Sequence, residues 1–199
     1  MNALGHYLLA GSLQAVGIIG LLTILSLLLP PFSYLISGAP LGLVTLRKGP
    51  VPGLRVLAGT FLLLSAFGYF ARMGVELGAA FALGVWLPVW ACAAVLRLTE
   101  SQGVTLMMTA VIGVLIVLGL SLYSEELAAW WESWIQAFLE QNLPPDEIPR
   151  MQQVLEESLP LVNGVIAAGV VISLFMTVMA SRWWQSRMFN PGGFRVEFH

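Results

Sequence analysis

Charge is scarce in this sequence: of 199 residues only 10% are charged, 9 basic and 11 acidic. A soluble domain carries roughly a quarter charged residues. With so few to coat a surface, a water-exposed globule of this length is excluded. Cysteine is almost missing as well. Cys92 stands alone in an apolar run, which excludes an intrachain disulfide framework and any multi-cysteine metal or iron–sulfur site and reads as inert packing. The only histidines, His6 and His199, lie at opposite ends of the chain. No glycine loop leads into Lys-Ser or Lys-Thr, and neither HExxH nor GxSxG occurs. No catalytic activity, metal, cofactor or nucleic-acid partner is therefore expected.

What remains is apolar: 58% of residues are hydrophobic, and the mean hydropathy is +0.84. A helix crossing a bilayer core of about 30 Å needs about 20 apolar residues. Six runs approach that length, spanning 7–29, 32–46, 54–71, 77–96, 104–123 and 159–180. The expected fold is all-α, a polytopic integral membrane protein of about six transmembrane helices forming a single domain, with the lipid bilayer as its main partner. The second run is short and interrupted by Gly38, Pro40 and Gly42, so it reads as either a kinked span or a re-entrant segment shielded by protein. The first run lacks a basic leader and a small-residue cleavage site, and is expected to be a retained helix.

Basic residues stay on the cytoplasmic side during insertion. With the N-terminus inside, Arg47, Lys48, Arg55, Arg97, Arg182, Arg187 and Arg195 all fall inside, and only Arg72 and Arg150 outside. Both termini are thus expected in the cytoplasm, the tail comprising 181–199. Residues 124–158 form the outer loop. Its first half is expected to be an amphipathic surface helix with Leu127, Trp131, Trp134 and Phe138 on the apolar side, broken at Pro144-Pro145. A second short helix near Pro149 is expected to lead into the last span.

Polar groups inside lipid are costly and become site candidates. Gln14, Tyr69, Trp86 and Asn163, with the charged Arg72 and Glu76 near the outer ends of the third and fourth spans, are the candidate ligand-binding residues. Arg72 and Glu76 pair if one helix runs through both. Gly11 and Ala15 form a small-xxx-small pair, continued by Gly17 and Gly20, which lets another helix approach. Within the chain that helix is a neighbouring span; outside it, a transmembrane coupling subunit or a second copy.

Two stretches, PLGLVTLRKGPVPGLRVLAG and RWWQSRMFNPGGFRVEFH, resemble the YybS-like family of predicted bacterial membrane proteins, a domain of unknown function. That family is similar in turn to the S-components of energy-coupling-factor transporters, small six-helix proteins of the bacterial cytoplasmic membrane that capture solutes from outside. The resemblance implies a solute-binding or transport component. It also implies a docking role for Gly11 and Ala15, with glycine replacing one alanine of the family's helix-one face. The second reading is a non-transporting scaffold or assembly protein of the bacterial envelope.

Overall fold

The computed structural model describes residues 2–29, 32–122, 133, 135–142, 144 and 147–191; the side chains of 2, 120–122, 155–160, 162 and 163 fall outside that description. Among the described residues every element is helical: α1 (Asn2–Ala10), α2 (Ser12–Ser26), α3 (Ala39–Lys48), α4 (Pro50–Phe70), α5 (Glu76–Phe81), α6 (Leu87–Thr99), α7 (Gln102–Leu122), α8 (135–142) and α9 (Ile148–Phe189). Four stretches are long and apolar enough to cross a membrane: Pro50–Phe70, Glu76–Thr99, Gln102–Gly119 and Gly164–Phe189. Two of the six expected spans differ from this pattern. The first breaks at Gly11, whose extended backbone separates α1 from α2 and leaves a 15-residue apolar helix. The second is only α3 and the turn before it.

The chain divides into two compact units, residues 1–109 with 172–199, and residues 110–171. In the first, α3 is the centre. Every residue from Ala39 to Leu46 is buried, with α2, α4 and α6 packed around it. Ser181 of α9 closes the remaining side, its hydroxyl donating to the Ala39 carbonyl at 3.0 Å. A Cβ at Gly42 would collide with the Ser181 hydroxyl, so the approach of α9 requires glycine there. Gly49, at φ 109°, makes the reversal into α4 that a side chain would resist. From Ser37 to Leu46 the short proline-interrupted segment is thus buried in protein, the surroundings that irregular backbone needs at membrane depth, whereas Tyr34 to Ile36 are only half-buried.

One end of this unit collects the basic residues. Arg97 donates to the carbonyls of Leu46 and Arg47, ending α3. Arg47 lies over the Phe189 ring at 4.1 Å, and Arg187 stacks on Trp183. The His6 ring meets Phe189 edge-on, and Gly5 abuts Met188 and Trp184. The start of α1 and the end of α9 therefore share the basic end.

In the second unit, Gly113 on α7 lies against Val171 on α9. In α8, Ile135 and Leu139 are the buried residues, whereas Phe138 is 48% exposed. The apolar face is one position away from the one expected through Phe138. Leu127, Trp131, Trp134 and the 192–199 part of the tail lie outside the described residues. The short helix expected at Pro149 and the last span are one element, the 42-residue α9. A proline at its second position is compatible with a helix start, because the missing N–H is unpaired there anyway.

Candidate functional site

Proline inside a helix withholds one N–H and crowds the carbonyl four residues earlier. Pro40 and Pro88 are such residues, and in both places the chain responds in the same way. The turn Tyr34–Gly38 before α3 and the turn Ala82–Trp86 between α5 and α6 are π-helical, each ending two residues before its proline. Widening the turn moves the crowded carbonyl outward. The N–H of Leu87 reaches back five residues to the Ala82 carbonyl. The carbonyl crowded by Pro88 is that of Gly84, and it receives the hydroxyl of Tyr34 instead. The two irregular turns thus face each other, and one bond joins them. Single π-turns are frequent at functional sites.

The surroundings are partly open and partly dry. Gly84 is exposed, and among the described residues nothing approaches within 4 Å of the position a Cβ would take. Trp86, at the end of the same turn, is 0% exposed, and its ring packs against Phe81 at 5.9 Å. Among the described residues its indole Nε1 is buried without a hydrogen-bond partner, as are the hydroxyl of Ser65 on α4, the indole Nε1 of Trp184 and the amide nitrogen of Gln102. An unsatisfied buried N–H or O–H costs about 1–3 kcal/mol. Most polar side chains in this unit avoid that cost locally. Thr23, Thr45, Thr60 and Thr177 each donate to a carbonyl one helical turn back, at 2.7 to 2.9 Å. Indole has no such option, because its N–H lies too far from its own backbone.

The sequence-predicted site residues divide among three locations. Trp86 is the one built into the paired π-turns. Tyr69, Arg72 and Glu76 mark the α4–α5 turn, where Tyr69 is 67% exposed and Arg72 and Glu76 are also exposed. The expected pairing of Arg72 with Glu76 lacks its helix: α4 ends at Phe70, Arg72 takes a left-handed conformation at φ 58°, and the Glu76 carboxylate curls back over Gly74. Gln14 is half-buried and opens, with Tyr7, Leu13, Gly17, Ile18 and Leu21, on a groove of about 460 Å³ along α1 and α2. Gly11 sits at the break between those helices, so it does not share a continuous helical face with Ala15, which is buried. The side chain of Asn163 lies outside the described residues. Gly20 and Gly59 are the small positions where α2 and α4 meet, against Leu63 and Val16.

Tyr34 and Gly84 were not expected at the site. A signal for Tyr34 and Gly84 existed in the spacing: Pro88 points back four residues to Gly84, and a tyrosine stands at the same register before Pro40 as Ala82 does before Pro88. Comparison with family models, curated proteins and solved structures returns no match for this chain.

Proposed function

We propose that the protein is a membrane-embedded small-solute binding or transport component of S-component type, taking its solute at the paired π-turns. The observation that carries this reading is the indole N–H of Trp86, buried and, among the described residues, unpartnered at the end of the turn that Pro88 has widened. A buried donor of this kind is satisfied by an acceptor that arrives with a ligand. The Tyr34 hydroxyl and the Gly84 carbonyl form a bond that a solute can enter by replacing either partner. The solute so described is small and carries a hydrogen-bond acceptor, a carbonyl or carboxylate.

Helix rise supports an outward-facing position. Tyr34 lies 14 residues from Lys48 at the basic end, a distance of about 20 Å, or two-thirds of a bilayer core of about 30 Å. With the basic end cytoplasmic, the π-turns lie in the outer half of the bacterial inner membrane and both termini are inside. A count of six crossings then includes α1 with α2 as one and the buried segment before Gly49 as another. The YybS-like resemblance points to the same class of function.

The test is purification of the full chain from its native membrane, followed by mass spectrometry of extracted small molecules, for the wild type and for Trp86→Phe. Phenylalanine keeps an aromatic ring beside Phe81 and removes the donor together with the second ring of the indole. The expected result is a co-purifying solute that the variant retains about tenfold less, the loss of one buried hydrogen bond of about 1.5 kcal/mol. A wild type that carries no solute, or a variant that retains it equally, overturns the reading. The second reading, a non-transporting envelope assembly protein, draws support from the open groove beside Gln14 and Gly17. It predicts a stable protein complex without any solute.

A further inference from the structure

The basic end holds a second polar site that the solute reading does not use. A cavity of about 420 Å³ opens there, lined by Leu46, Leu96, Arg97, Glu100, Arg182 and Gln185. That volume lies within the roughly 300–1,000 Å³ of ligand pockets. Leu46 and Leu96 are buried and form its apolar floor, Arg182 and Gln185 are half-buried, and Arg97 and Glu100 are exposed.

The geometry fixes the guanidinium of Arg97. Its Nη1 donates to the carbonyls of Leu46 and Arg47, and the Gln185 amide lies 3.5 Å from the same Leu46 carbonyl. The Arg182 Nη1 donates to the Gln185 side-chain oxygen at 2.9 Å. Arg97, Gln185 and Arg182 are thereby linked into one row of donors. Carbonyl oxygens anchor Arg97 but carry no full negative charge, and among the described residues Arg97 forms no ion pair. Its charge is held in place and uncompensated.

The level of the cavity in the bilayer follows from the helices that carry it. Arg97 and Glu100 bracket Thr99, the end of the membrane-length stretch Glu76–Thr99, and Arg182 and Gln185 lie near the end of the stretch Gly164–Phe189. Trp183, which is exposed, stands at the same level, as tryptophan does where it meets lipid headgroups. Arg47 and Arg187, stacked on aromatic rings of the same end, add positive potential. Basic pockets between helices at this depth suit phosphate-bearing headgroups.

We propose that this cavity binds the headgroup of a phospholipid, with Arg97 and Arg182 on the phosphodiester and Glu100 accepting from a hydroxyl or ammonium group beyond it. The phosphate enters from the headgroup layer and its acyl chains stay in the bilayer. Glu100 gives the site a preference. Its carboxylate stands at the mouth in a left-handed turn, φ 53°, at the end of α6, and favours a headgroup that carries hydrogen-bond donors over one that carries none.

The experiment is native mass spectrometry of the full chain, delipidated in detergent and titrated with phosphatidylglycerol, phosphatidylethanolamine or phosphatidylcholine, with inorganic phosphate as competitor. The expected result is one lipid bound per chain, with the first two exceeding phosphatidylcholine. Arg182→Gln weakens binding roughly tenfold, as loss of a charged hydrogen bond does. Arg97 also ends α3, so Arg97→Gln can unfold the protein; Arg182→Gln touches no helix end, and Glu100→Gln, at the end of α6, leaves the capping backbone N–H in place and changes only the side-chain charge, so both keep the test decisive. Glu100→Gln is expected to erase the advantage over phosphatidylcholine. Equal binding of all three lipids by the wild type, unchanged binding in Arg182→Gln, or displacement of lipid by millimolar phosphate with equal affinity for the free ion each overturns the proposal.

Discussion

Helices α3 and α7 show opposite relations between hydropathy and burial. In α3 a sequence with glycine, proline, threonine and two basic residues is buried from Ala39 to Leu46. In α7 a run of aliphatic residues is only 17% buried over its membrane-length stretch. Its buried positions are Thr105, Thr109 and Gly113, four residues apart, whereas Val111, Val114, Leu115 and Leu118 are exposed. In water the pattern would be reversed. Lipid is as apolar as leucine, so nothing drives aliphatic side chains inward, and small residues win the interior because they let helices approach. The threonines join them without penalty. Thr105 and Thr109 donate to carbonyls of their own helix at 2.9 and 2.7 Å.

The contrast is most easily broken on the exposed face of α7. Val111→Lys puts a charge near the middle of a lipid-facing helix and is expected to cost about 3 kcal/mol of insertion free energy. An insertion assay that quantifies the inserted fraction measures it; a neutral result would mean that Val111 faces water. A smaller effect separates the two helices directly. Gly42→Ala drives a methyl group into Ser181 and is expected to destabilise by about 2 kcal/mol. Gly119→Ala on α7, where nothing lies within 4 Å, is expected to stabilise by up to about 1 kcal/mol through helix propensity. Thermal unfolding of the two variants in detergent reads the difference in sign. Smallest of all is Thr109→Val, which keeps the shape and removes a hydroxyl whose bond among the described residues is to its own helix. Its expected effect on the same unfolding curve is within about 0.5 kcal/mol, and a loss above 2 kcal/mol would assign that hydroxyl an interhelical role.

Long apolar runs were readable because a span must be apolar over a set length, and 54–71, 77–96 and 104–123 match their helices within a few residues. The basic cluster was readable too, and the structure brings Arg47, Arg97 and Arg187 to one end with the start of α1. The break at Gly11 escaped because hydropathy is blind to φ and ψ: the apolar run continues through it. Residues Ile148–Phe189 escaped as one helix because Pro149 looks like a boundary, yet at the start of a helix it breaks nothing. Of the ligand-binding candidates, Trp86 was reached by residue type alone. Tyr34 and Gly84 needed a contact between turns fifty residues apart, which no local pattern contains. The row from Arg97 through Gln185 to Arg182 was missed for a related reason. Basic residues at a span end read as membrane anchors, and only the neighbouring end of α3 turns one of them into a carbonyl cap.

Composition and run length alone make this chain an all-helical membrane protein, because 20 charged residues cannot coat 199 in water and a helix is the only single segment that satisfies its own backbone in lipid. Spacing of Pro40 and Pro88 also fixes where backbone is disturbed. Which apolar segments face lipid and which lie inside is a different matter, since the bilayer and the protein interior are equally apolar and hydropathy cannot tell them apart. Packing decides it. The approach of α9 at Gly42 encloses α3, and the facing of two π-turns gives Tyr34 a partner and leaves Trp86 without one.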